Sequence, residues 1–235
     1  MSDGLDVNTP RGALALRLRA VIRHRWAADV QAIGVQGSVA YGDDRDGSDI
    51  NLMVVTYRPR TGPKSCLRKV DGIPVDLRVR CGEEGSGEAR RLTPGWPLLA
   101  DRWITTHALH DPDKWFNDQR EAHLTLLAEA RPPEFNRLAR HNWALAHGAH
   151  TRAVRLAEWY DTDAALVLMA DARVHAALVA GFLTRTYFRN VADAVRRTGV
   201  AAAGMQELGA ALEHQAEELA ARGCPVDGTR GELFG

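Results

Sequence analysis

Cysteine is scarce: Cys66, Cys81 and Cys224 are the whole supply in 235 residues. They are odd in number and form no C-x-x-C pair, so neither a disulfide framework nor a zinc knuckle is indicated, and a reducing cytoplasm is the expected setting. Net charge is missing as well. Thirty basic and thirty acidic residues cancel, which argues against nucleic acid as a partner, because affinity for a phosphate backbone needs clustered positive charge. Lysine is nearly absent, with Lys64, Lys69 and Lys114 the only three among the thirty basic residues; that bias, with abundant alanine, reads as genomic and carries no functional weight. No apolar run approaches the roughly eighteen residues of a membrane-spanning helix, and Met1 to Asn8 is polar and acidic. The expectation is a soluble chain that is not exported and has no membrane partner.

The length allows one large domain or two smaller ones, with a real core and no need for disulfides. Thr9 followed by Pro10 predicts a helix start, with Leu14, Leu16, Leu18, Val21 and Ile22 available for burial through about Ala28. Strands are expected over Val30–Gln36 and Asp49–Tyr57, and Arg58 to Lys69 reads as a hairpin loop broken by Pro59, Gly62 and Pro63. Asp71-Gly72 signals a tight turn before a strand through Asp76, and Gly82 to Gly87 reads as a flexible acidic loop. After a short helix from Pro97, Asp111-Pro112-Asp113 can cap a long helix. From about Pro133 the apolar period is helical almost throughout, as in Ala165, Leu168, Met169 and Ala177, and again in Leu208, Leu212 and Leu219. The expected fold is α+β, a small mixed-sheet domain over 1–115 followed by a helical bundle over 116–235.

The informative stretch is Gly34-Val35-Gln36-Gly37-Ser38-Val39-Ala40-Tyr41-Gly42, followed by Ser48-Asp49-Ile50-Asn51-Leu52-Met53. It reads as a strand, a Gly-Ser turn onto a short helix, a polar loop, and a second strand. Alternation along that strand sends Ile50, Leu52 and Val54 to a core and Asp49 with Asn51 to the other side. Val75, Leu77 and Val79 repeat the pattern, leaving Asp76, Arg78 and Arg80 outward. An oxygen-rich patch on two strands looks like a metal site. Arg78 and Arg80 could meet phosphate charge, although exposed strand faces carry arginine for solubility as often. His107-x-x-His110 and His147-x-x-His150 lack acidic or cysteine partners at zinc spacing and read as polar helix-face residues. Trp96, Trp103, Trp115, Trp143 and Trp159 read first as packing, with stacking on a base or an aromatic acceptor second.

These residues resemble the nucleotidyltransferase superfamily, which includes the DNA polymerase beta-like and the antibiotic nucleotidyltransferases. Its pattern is an apolar strand, Gly-Ser, about ten residues, Asp-x-Asp, and later a lone Asp on another strand. Gly37 and Ser38 match the turn, Asp49 the first carboxylate and Asp76 the third; Asn51 stands where the family has the second. The resemblance covers residues 30 to 80, with the helical second half similar in architecture only. It implies transfer of a nucleoside monophosphate from a nucleoside triphosphate to a hydroxyl, with Mg²⁺ held by Asp49, Asn51 and Asp76. Nucleotide contacts are expected from Gly37, Ser38, Gly42 and Ser48.

Two divalent ions about 3.5 to 4 Å apart can clamp the attacking and leaving oxygens of such a transfer, and hard ions want oxygen ligands. An amide oxygen at position 51 can ligate but brings no charge. Three readings stay open: a slow or differently tuned transferase, a nucleotide-binding relative without catalysis, and a catalytic-site variant that traps substrate. The acceptor is expected to be a small molecule such as an antibiotic or a biosynthetic intermediate, with modification of a partner protein as the other enzymatic route. A homodimer through the helical stripes is possible on the same pattern.

Overall fold

A computed structural model describes residues 5–228, so Met1 to Gly4 of the polar N-terminal stretch lie outside the described residues. The chain forms two compact units, residues 1–91 with 101–128 and residues 92–100 with 129–235. The first holds a five-stranded mixed sheet and the second is helical, which makes the fold α+β. Position 115 is the first residue of a helix within the first unit.

In the first unit, α1 (Pro10–Arg25) starts where expected: the Thr9 hydroxyl accepts the Gly12 N–H at 3.0 Å, and Pro10 needs no partner at the first helical position. Leu14, Ala15 and Ile22 are buried, whereas Val21 is 61% exposed and lies off the packed stripe. The strands are β1 (Val30–Gln36), β2 (Ile50–Thr56), β3 (Cys66–Val70), β4 (Ile73–Cys81) and β5 (His107–His110), ordered β3-β4-β2-β1-β5. The expected loop over 58–69 therefore ends in a strand. β3 is an exposed edge that exists because β4 supplies its hydrogen-bonding partners, a long-range pairing that local breakers do not reveal. Asp71 and Gly72 turn it into β4 with φ of 52° and 79°, both positive as a two-residue hairpin turn requires.

Two layers clothe the sheet. Leu14 and Ala15 of α1 pack with Val35, Ile50, Leu52 and Val75 on one face, as alternation predicts. The other face buries Ala32, Met53 and Val55 against Trp103, Trp115 and Phe116. Gly82–Ala89 is helix α3, not a flexible loop. Glu83 and Glu84 sit in its first turn, where the helix dipole favours them. Its glycines serve close approach: a Cβ on Gly85 would stand 2.8 Å from the Trp115 ring, and one on Gly82 would stand 2.4 Å from Gln31 Oε1. α4 spans Trp96–Ile104, and α5 (Trp115–Glu129) is capped by Asp111, whose carboxylate accepts the Trp115 and Phe116 N–H groups at 2.7 and 3.0 Å.

The second unit is built on α6 (Pro132–Glu158) and α7 (Thr162–Leu183), with α8 (Val191–Arg197) and α9 (Met205–Ala221) beside them. Ala146, Ala149 and Ala153 of α6 meet Met169, Ala172 and Ala176 of α7, small residues that let the helices approach closely. By length and composition α7 could cross a membrane, contrary to the expectation of no such run; half of its apolar window is buried inside this bundle.

Two outcomes follow from packing in the first unit. A Cβ on Gly34 would lie 2.5 Å from Thr106 Cγ2 and 2.7 Å from Phe116 Cζ, so Gly34→Val should cost about 1–3 kcal/mol in urea unfolding. His123 is buried and its Nδ1 donates to the Ala89 carbonyl at 2.7 Å; burial outweighs that bond and holds the imidazole below its ordinary pKa. The folded state therefore binds fewer protons than the unfolded chain below about pH 6.5, and the His123 contribution, full above that pH, is lost as the pH falls through the folded value. His123→Gln should flatten the fall of Tm between pH 7 and 5.5; an unchanged slope would assign that fall to other groups.

Candidate active site

β1 ends at Gln36, opposite Asn51 of β2, and Asn51 lies opposite Asp76 of the parallel strand β4. Three polar residues thus form one row across three strands, on the face away from α1. Asp49 directly precedes β2, two residues before Asn51, and alternation sets it on the same side. Gly37 follows Gln36 with φ 68° and ψ −151°, a conformation essentially restricted to glycine. It leads into the four-residue helix α2 (Ser38–Tyr41), which ends at Gly42 in the left-handed region. A Cβ on Gly37 would stand 3.3 Å from Asn51 Nδ2. The turn and the oxygen-bearing row therefore meet at one point.

The loop between α2 and β2 is pinned from below. Arg11 is 8% exposed and its Nε donates to the Ser48 carbonyl at 2.8 Å. The Ser48 hydroxyl accepts the Arg45 N–H at 3.0 Å, so Ser48 closes the loop that presents Asp49. The Tyr41 hydroxyl donates to the buried Asp101 carboxylate, tying α2 to α4. The Ser38 hydroxyl, the Asp49 carboxylate and the Asn51 amide make no hydrogen bond to the described residues, and all three are partly open to solvent. They are free to meet a ligand.

Asp76 is held. Arg78, two residues along the same strand, donates from Nε and Nη2 to Asp76 Oδ2 at 2.9 and 2.7 Å. Both bonds go to one oxygen, which leaves Oδ1 without a protein donor among the described residues. Arg80, the next outward residue, pairs with Glu88 of α3. Arg102 at the end of α4 completes a basic wall: burial and the charges of Arg80 and Arg78 hold its pKa below the ordinary arginine range, with Glu88 opposing. Its backbone carbonyl accepts the Gln36 amide at 3.4 Å, which places α4 beside the polar row.

Asp49, the Asn51 oxygen and Asp76 Oδ1 offer oxygens alone, as Mg²⁺ prefers. Position 51 brings no charge, and the charge of Asp76 is balanced by Arg78. Among the described residues no group of three or more His, Cys, Asp or Glu side chains is placed to hold a metal ion.

Of the residues expected from sequence, Gly37, Ser38, Asn51 and Asp76 come together, Gly42 terminates α2, and Ser48 sits in the loop before Asp49. Arg11, Gln36, Asp101 and Arg102 were not singled out; each acts through contacts 37 to 70 residues away in sequence, which no local pattern signals. In the helical unit a cleft of about 460 Å³ is lined by Trp143, His147, His150 and Leu212. Trp143 stacks on His147 with ring centroids 4.8 Å apart and donates to the Leu212 carbonyl, and His150 bonds the Met205 carbonyl, so these side chains are engaged in packing.

No protein-family model matches the chain, and no curated protein matches it. Among solved structures it is similar to a nucleotidyltransferase-like protein from Exiguobacterium sibiricum 255-15, at 14% identity and a TM-score of 0.48, over 89% of this chain and 75% of that one.

Gly37→Ala should be costly for a local reason. It forces a side chain into a positive-φ conformation and presses on Asn51, for a loss of about 1–3 kcal/mol in chemical unfolding. A fully stable Ala variant would show that the turn relaxes without strain.

Proposed function

We propose that the chain transfers a nucleoside monophosphate from a nucleoside triphosphate to a hydroxyl of a small molecule, with Mg²⁺ at Asp49, Asn51 and Asp76. The observation that carries this reading is the meeting of the Gly37-Ser38 turn with the Gln36–Asn51–Asp76 row. A phosphate cradle and a set of cation-binding oxygens on one face of the sheet suit a reaction whose substrate is a metal-bound polyphosphate. Balanced charge over the whole chain favours a small acceptor over nucleic acid.

The residues divide the work by chemistry. The glycine admits the phosphate to the backbone, and the Ser38 hydroxyl donates to its oxygens. Asp76 Oδ1, the oxygen that Arg78 leaves open, would hold the ion beside the acceptor hydroxyl, whose proton passes to solvent water. The acceptor oxygen then bonds to the α-phosphorus, the bond from that phosphorus to the bridging oxygen breaks, and pyrophosphate leaves. Bound Mg²⁺ would neutralise charge on the phosphoryl oxygens and the leaving group. Asp49 and Asn51, at the start of β2, would help to hold it.

A second reading is favoured by two observations together. Asn51 lacks the charge of a carboxylate and Arg78 neutralises Asp76, a combination that suits nucleotide binding without turnover. The two readings part at Asn51→Asp. Under the first, the added anion should raise pyrophosphate release from labelled triphosphates and a pool of hydroxylated acceptors by about 10²–10³-fold, the scale of a single electrostatic stabiliser. Tight nucleotide binding with no release in either form would select the second, and no nucleotide binding at all would end both.

A further inference from the structure

The basic wall behind the polar row has an imbalance. Arg78 pairs with Asp76 and Arg80 with Glu88. Arg102, half-buried and within charge range of both, makes no side-chain hydrogen bond or ion pair to the described residues. A partly desolvated guanidinium beside two others is held at a cost that a bound anion would offset. None of its nitrogens is sealed from solvent, so a ligand can reach them.

Placement makes the imbalance specific. Gln36 fixes the Arg102 backbone at the end of the Gln36–Asn51–Asp76 row, and the Gln36 amide also donates to Thr106 Oγ1 at 2.9 Å, so the anchor is held on two sides. Arg78 stands on the same face, one outward step beyond Asp76. Guanidinium forks match the paired oxygens of phosphate groups in geometry as well as charge.

We propose that Arg102 and Arg78 form an anion subsite that seats the terminal phosphates of a polyphosphate without a divalent ion. The subsite deepens the nucleotide reading above and rests on it for the identity of the ligand, a nucleoside triphosphate or the pyrophosphate it releases. Charge supplied by a second metal in a fully acidic cage is supplied here by arginine. Binding is thereby separated from metal occupancy.

The experiment titrates the full chain calorimetrically with inorganic pyrophosphate and tripolyphosphate in EDTA at low salt. The expected result is measurable binding that weakens with added salt, falls at least tenfold in Arg102→Gln and in Arg78→Gln, and is unchanged in Arg23→Gln on α1. Arg78 is exposed enough that its Gln variant keeps the test valid if the Arg102 variant fails to fold. Absence of binding in EDTA, or wild-type affinity in both arginine variants, overturns the proposal. A parallel titration with the four nucleoside triphosphates in Mg²⁺ separates the two ideas. Tripolyphosphate binding in EDTA without any nucleoside triphosphate binding retires the nucleotide reading and keeps the subsite. Nucleoside triphosphate binding that requires Mg²⁺ and ignores both arginines keeps the nucleotide reading and removes the subsite.

Discussion

The parallel pairing of β2 with β4 is the constraint on which the site depends. After β2 the chain runs out to the sheet edge, forms β3, and returns through the Asp71-Gly72 hairpin into the gap beside β2. That return makes β4 antiparallel to β3 and parallel to β2, and it sets Asn51 opposite Asp76. A slip of one residue would turn Asp76 toward the α1 core and expose Val75, which is 5% exposed as observed. The apolar face thus fixes the register, and the register assembles the polar row. Period-two alternation then requires Arg78 and Arg80 to follow Asp76 on the same face.

The same register explains why the residue at 51 matters electrostatically. Neighbouring strands lie about 4.8 Å apart, and two carboxylates at roughly 5 Å repel by about 3 kcal/mol at an effective dielectric of 20. A cage with acids at both positions is stressed until cations enter it. Asn51 removes that stress, and the Arg78 fork relieves what remains at Asp76. The two features act in one direction: both lower the density of uncompensated negative charge along the row.

Much of this was legible because it is local. The Thr9-Pro10 start, the Val30–Gln36 strand, the Gly37-Ser38 turn and the Asp71-Gly72 hairpin each depend on a few adjacent residues with a defined backbone preference. The misreadings share a different cause. Gly82–Gly87 looked flexible because glycine is permissive, yet Gly85 is there so that Trp115 can pack on α3. β3 looked like loop because its support comes from β4. In the helical half the pattern gave packing but no chemistry, since an Ala-rich interface records close approach and nothing about ligands. Arg102 was invisible for the most basic reason: its neighbours Arg78 and Arg80 lie more than twenty residues away in sequence.

Arg78 and position 51 are best understood as one coupled device. The guanidinium bonds a single oxygen of Asp76 and is itself 48% exposed, so its hold is that of a half-solvated pair, worth on the order of 1 kcal/mol. A phosphate oxygen competing for the same fork loses little by displacing it. On the proposed reading, movement of Arg78 from Asp76 to a phosphate would free the full carboxylate. With an acid at 51, the guanidinium would instead face two carboxylates and be held more tightly. Asn51 therefore leaves Arg78 with Asp76 as its carboxylate partner along this row, and a neutral side chain of the same shape as aspartate does so without altering the strand around it.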